Sequence, residues 1–169
     1  MLHLFFKVKG FTLIEIMVVM IIISVILTFM TLSIGDGGLA QKLKQEAQRF
    51  ASLLTMASQE AIMQSKEMGV SFEIDGYHFY VLQEQQWQAS QDEIFRPRKL
   101  PPGIESELYL EGESIVLNNL EKNAPQLLLL SSGELTPFKV IFKYESEGLH
   151  YQLIGTATGK MSLQQYESF

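Results

Sequence analysis

The sequence predicts an α+β protein, with a long N-terminal helix followed by a mostly antiparallel β domain. Three observations carry this: an apolar run over residues 11–34, a helical apolar stripe starting at Leu39, and alternating segments punctuated by turn residues from Val70 onward. The chain has 169 residues, 47% of them hydrophobic, which is one domain's length and ample material for a core. One globular domain and one anchor are expected.

Residues 11–34 would form a helix of roughly 36 Å at about 1.5 Å per residue, against a hydrocarbon core of about 30 Å. Its polar members Thr12, Ser24, Thr28, Thr31 and Ser33 carry small hydroxyls that can bond back to helix carbonyls, and its one formal charge is Glu15. A secretory signal places a short apolar core before a small-residue cleavage site; here basic residues and then Gly10 come before the apolar run. Lys7 and Lys9 place the preceding end in the cytoplasm by the positive-inside rule, so the bulk of the chain lies outside. Glycines at 35, 37 and 38 around Asp36 predict a break over 35–38, because glycine costs about 1 kcal/mol inside a helix.

Helical periodicity returns over 39–67. Leu39, Leu43, Ala47, Phe50, Leu54, Ala57 and Ala61 share one face, while Lys42, Lys44, Gln45, Gln48, Arg49, Ser52 and Gln59 fill the other. This is an amphipathic helix expected to cover a core. The β domain is assigned to 69–169. Val70, Phe72 and Ile74 alternate with polar residues, Asp75 and Gly76 supply a two-residue turn, and Tyr77, Phe79 and Val81 continue as the hairpin partner. Residues 83–103 are polar and proline-rich and read as a long connection. Strands are then expected at 108–110, 114–117, 126–130, 138–144 and 149–154, with a turn at Ser131, Ser132 and Gly133 and a last one around Gly155 and Gly159.

The stretch KGFTLIE, Lys9 to Glu15, resembles the N-terminal signature of type IV pilin-like proteins. The resemblance implies a pilin-like fold and a leader of residues 1–10. A prepilin peptidase would cut after Gly10 and methylate the new N-terminal Phe11. Many pilin-like proteins carry a proline where this chain has Leu32. Further on, LLLLSSGELTPFKVIF, Leu127 to Phe142, and IGTATGKMSL, Ile154 to Leu163, are similar to minor pseudopilins of the GspH type. This implies a structural subunit of the type II secretion pseudopilus, anchored in the bacterial inner membrane with its β domain in the periplasm. The implied partners are the prepilin peptidase, the major pseudopilin, other minor pseudopilins at the filament tip and the inner-membrane platform protein. The same domain occurs in minor pilins of type IV pili, including the FimT and FimU types, so the machine stays open at this point.

Other chemistry finds little support. The formal charge is −6 with a pI near 5.1, which disfavours nonspecific nucleic-acid binding. Phe95, Arg96, Pro97, Arg98 and Lys99 join an aromatic ring to three cations, as in single-strand binders, but Asp92, Glu93, Glu105 and Glu107 flank them. The last residues are not basic, unlike those of DNA-receptor pilins, so no nucleic acid is expected. Cysteine is absent, which excludes disulfides and thiolate metal sites. His3, His78 and His150 are isolated, and Asp92, Glu93, Glu111 and Glu113 lack calcium-loop spacing. No nucleophile elbow, phosphate loop or zinc helix occurs, and neither a cofactor nor a catalytic activity is expected.

Glu15 is the residue that needs a reason. A lone carboxylate at bilayer depth costs about 2.5 to 3.5 kcal/mol on insertion scales. Cleavage after Gly10 would create a partner, the Phe11 amine four residues away, and a neighbouring subunit's amine could serve instead. Glu15 is therefore read as an assembly charge, the alternative being a carboxylate resting at the lipid headgroups.

Overall fold

The structure, a computed structural model, describes residues 12–33, 37–117, 124–144 and 148–167. The chain divides into two compact units, Met1–Leu39 and Ala40–Phe169. In the first, helix α1 spans Leu13–Ser33, and every large apolar side chain described on it, from Leu13 to Leu27, is exposed. A helix that is apolar all round has no core-facing stripe and needs an apolar environment on every side. Ser24 Oγ donates to the Met20 carbonyl at 2.8 Å, the back-bonding foreseen for the small hydroxyls. Among the described residues, whose α1 side chains end at Leu27, no helix is long and apolar enough to cross a membrane.

Helix α2 runs Gly37–Gln64, which corrects the boundaries expected at both ends. Gly37 and Gly38, assigned to the break, are helical; the first N–H groups of a helix lack intrahelical partners anyway, so glycine costs least there. Isoleucine 34 to Asp36 lie outside the described residues. At the other end the helix stops before 67, because Ser65 takes a left-handed φ of 52°. The N–H of Lys66 then returns to the Ala61 carbonyl at 3.1 Å and that of Ser65 to Ile62 at 3.3 Å, the bond pair of a Schellman termination.

Among the described residues, ten strands follow in two antiparallel sheets. The first sheet has the order β3-β2-β1-β7, with β1 Met68–Glu73, β2 Gly76–Gln83, β3 Gln86–Ala89 and β7 Leu127–Leu129; β4, Arg98–Lys99, pairs with the start of β2. The second has the order β10-β9-β8-β5-β6, with β5 Ile104–Leu110, β6 Glu113–Ile115, β8 Phe138–Tyr144, β9 Leu149–Gly155 and β10 Met161–Glu167. Strand β8 has the expected bounds, and Phe138, Val140, Phe142 and Tyr144 are all buried.

Four expectations are corrected. The first hairpin turns at Ile74 and Asp75, since Glu73 pairs with Gly76, and Ile74 is 66% exposed. Gly76 is a strand residue required for packing: a Cβ there would meet the Arg98 carbonyl oxygen at 2.1 Å. The stretch 83–103 holds β3, a 3₁₀ turn at Glu93–Phe95, and β4; its first turn is made by Glu84 and Gln85, φ 51° and 64°, a conformation usually signalled by Asn-Gly. Strand β5 starts at Ile104, its charged outer residues being held by Lys143 on β8. Finally, β9 includes Gly155, where a Cβ would meet the Phe138 ring at 2.0 Å, and β10 extends the sheet beyond it.

The core of the second unit lies between α2 and both sheets. Leu43, Ala47, Phe50, Leu54, Ala57 and Ala61 are fully buried. The Phe50 ring makes edge contacts with Phe72 and Tyr77 of the first sheet, centroids 5.3 and 4.8 Å, and with Phe142 of the second at 5.6 Å. One side chain thus ties the helix to each sheet.

Candidate docking site on the N-terminal helix

The start of α1 is closed by a reciprocal pair of bonds. The Glu15 N–H donates to Thr12 Oγ1 at 3.3 Å, and the Thr12 N–H reaches Glu15 Oε2 at 3.5 Å. This is the capping-box arrangement, threonine at the N-cap and glutamate three residues on; it gives the Thr12 N–H an acceptor and adds to the bond that the Glu15 N–H makes to the Thr12 carbonyl at 3.1 Å. The carboxylate also sits at the positive end of the helix dipole. Both residues are exposed to the surroundings of the helix, so the second carboxylate oxygen stays available to a further donor. Gly10 and Phe11, expected at the cleavage and methylation position, lie outside the described residues.

A second charged group was missed at the level of sequence. Glu46 is 2% exposed on the core face of α2. It accepts from Tyr77 Oη at 3.0 Å and from Arg49 Nη2. Its position, three after Leu43 and four before Phe50, marks it as a charge on the apolar stripe, which was the available signal. Burial, then the Glu46 charge, pushes the Tyr77 hydroxyl well above its ordinary range. Burial is the largest single influence on Arg49 and acts to lower its pKa, but the bond to Glu46 together with the charges of Tyr77 and Glu46 and the bond to Tyr77 outweighs it, so the pKa is raised.

The cations at 96–99 are each engaged. Arg96 pairs with Glu93, Lys99 with Asp75 at 3.3 Å, and Arg98 Nη2 donates to the Ile94 carbonyl at 3.2 Å. Together with β4 pairing, this makes the segment an edge of the first sheet, not a free basic arm. His78 faces Glu73 at 3.7 Å and the His150 ring packs on Tyr166 at 5.2 Å. Asp92 caps the 3₁₀ turn by accepting from the Ile94 N–H at 2.8 Å. Among the described residues no group of three His, Asp or Glu side chains is placed to hold a metal ion.

Comparison with known proteins joins the two halves. Residues 46–159 match the family described as Type II transport protein GspH, and residues 6–31 match the prokaryotic N-terminal methylation motif. The chain belongs to the GspH family. It is similar to the type II secretion system protein H of Pseudomonas aeruginosa, 39% identical over 141 residues, with 78% of this chain and 81% of the relative covered. The corresponding protein H of Aeromonas hydrophila is 29% identical over 155 residues, covering 85% of each chain. Among solved structures, the minor pseudopilin EpsH from the type 2 secretion system of Vibrio cholerae superposes with a TM-score of 0.64 at 26% identity, over 72% of this chain and 94% of that one. The solution structure of Escherichia coli GspH gives 0.59 at 16% identity, over 75% and 89%, a likeness of fold. The pilin-like α+β fold and the role of minor pseudopilin in type II secretion follow for this GspH-family chain, and they decide between the secretion machine and the type IV pilus. A membrane-anchored periplasmic subunit that meets other pseudopilins and the prepilin peptidase is implied by the same matches.

Proposed function

We propose that this minor pseudopilin is made as a single-pass inner-membrane precursor, cut after Gly10, methylated at Phe11 and drawn into a short periplasmic filament through Glu15. The observation that carries the reading is one chain in which a methylation motif over 6–31 precedes a GspH domain over 46–159. The leader 1–10 stays on the cytoplasmic side, 11–34 spans the bilayer, and the β domain is periplasmic. The prepilin peptidase processes it; the major pseudopilin, the other minor pseudopilins near the tip and the platform protein are its assembly partners. Its work is assembly and mechanical coupling, with no catalytic step assigned to it.

The role of Glu15 follows from electrostatics. Cleavage converts the peptide nitrogen of Phe11 into a cation, next to the Thr12 N–H that already holds the carboxylate. In the filament the amine of a neighbouring subunit meets the same group, and pairing in an apolar medium fixes the axial step of the entering helix. Glu15→Leu tests this. Insertion and cleavage should proceed normally, while crosslinking to the major pseudopilin and secretion both fall. Unchanged crosslinking and secretion would mean that Glu15 rests at the headgroups and docks nothing.

A further inference from the structure

Strand β5 is paired with β8 along its whole length, but on its other side β6 covers only Leu108–Leu110. Among the described residues no strand lies against Glu105, Ser106 and Glu107 on that side. The same three residues line a groove of about 310 Å³, together with Ile74, Tyr109, Ser114, Ile115 and Leu117. Side chains alternate between the two faces of a strand, so three consecutive residues can line one groove when it runs along the strand's open edge. Inside it, Ser106 Oγ is buried and has no hydrogen-bond partner among the described residues.

The apolar and charged lining says what would fill it. Ile74, in the turn between β1 and β2, is 66% exposed, as is Val116 beside the groove residues Ile115 and Leu117. An apolar patch of this kind on the edge of a sheet is an interaction surface or an aggregation hazard. The hairpin from Ile104 to Ile115 carries Glu105, Glu107, Glu111 and Glu113 and no Lys or Arg. Two cations reach it from β8: Lys143 is bound between Glu105 and Glu107, and Lys139 lies over the Tyr109 ring at 4.3 Å, against four carboxylates. The local excess is therefore negative. A second copy of this acidic chain is a poor occupant.

We propose that this groove docks an extended, apolar and basic segment from the periplasmic domain of a neighbouring pseudopilin, which adds to the open edge of β5 in line with β6. Main-chain bonds to residues 105–107 supply affinity, Ser106 Oγ gains its missing partner, and a Lys or Arg meets Glu105. The inference rests on the filament role proposed above.

The test uses the full-length chain in its native envelope, with a photocrosslinking amino acid at Ile74, at Gln88 on the far edge of the first sheet, or at Val18 on α1. Products are identified by mass spectrometry. The Ile74 probe should give a peptide from another pseudopilin's periplasmic domain, at least about fivefold above Gln88. Glu105→Lys should cut that product by at least about fivefold, while Glu134→Lys, the same charge change outside the groove, leaves it. An Ile74 product that is lipid or a second copy, or no product while Val18 still captures its neighbour, overturns the groove. Equal losses in both lysine variants overturn it too, because net charge alone would then explain them. Loss of the Val18 product as well would bring down the filament role, and the groove with it.

Discussion

Glu46 shows how one side chain can hold two constraints at once. Its carboxylate is out of water, so it persists because Tyr77 and Arg49 both donate to it. Glu46→Ala would leave a buried hydroxyl without its acceptor, and a drop in unfolding free energy of about 2 to 4 kcal/mol is expected from urea melts of the β domain. Tyr77→Phe should cost less, since only one bond is lost. The pH dependence has a definite sign. The folded state holds the Tyr77 proton more tightly than the unfolded chain, so this contribution is complete below the ordinary tyrosine range near 10 and is lost as pH rises beyond it. The stability gap between the wild type and Tyr77→Phe should therefore shrink above about pH 10; a gap that stays constant would show that Tyr77 is not the titrating group. At the acid end, the bonds from Lys143 and Tyr109 keep the Glu107 carboxyl below its usual range. That exposed-side contribution is present at neutral pH and fades as pH falls through the carboxylate range.

At the scale of elements, Ser65 is one position where sequence and conformation disagree. It ends α2 in the left-handed region with a Cβ that this region disfavours. Ser65→Gly should stabilise the β domain by about 0.5 to 1 kcal/mol, read as a higher urea midpoint at unchanged slope. The same kind of disagreement explains what could not be read beforehand. Strand β8 was legible because Phe138, Val140, Phe142 and Tyr144 recur at every second position, with Lys139 and Lys143 on the other face, although Ile141 on that face is buried too. Strand β3 was not, because Glu84 and Gln85 fill a turn that asparagine and glycine normally announce, and its residues are mostly exposed. Strand β10 was hidden by two glutamines, whose side chains are bonded across to Tyr151 and Gln152 on β9. Glycines 76 and 155 misled for the opposite reason: they look like turn residues and instead make room for a carbonyl and a ring.

For the molecule as a whole, the division at residue 40 predicts that the β domain is an independent folding unit. A fragment beginning at Leu39 should melt in a single cooperative transition without the anchor; a broad, non-cooperative loss of structure would show that α1 is needed for the core. Phe50→Ala in that fragment should cost about 3 to 5 kcal/mol, because the ring contacts both sheets and neither can close over the space alone. The split of the strands into two sheets was not legible from the sequence, since alternation marks the buried face of a strand but not which sheet shares it. The proposed docking charge was legible as an anomaly, a lone carboxylate in an apolar helix. Its local partner was not foreseen. That partner, the Thr12 cap, bears on the order of events in the filament's life. In the uncut chain position 11 is a neutral peptide, and Glu15 is already half-satisfied by its own backbone, so a precursor can wait in the membrane without a bare charge. The proposed cut would create a cation at position 11, the residue before the Thr12 N–H that binds this carboxylate. On the reading proposed above, the cap works as a catch that holds an unprocessed subunit in reserve and leaves the acid in place for the cut.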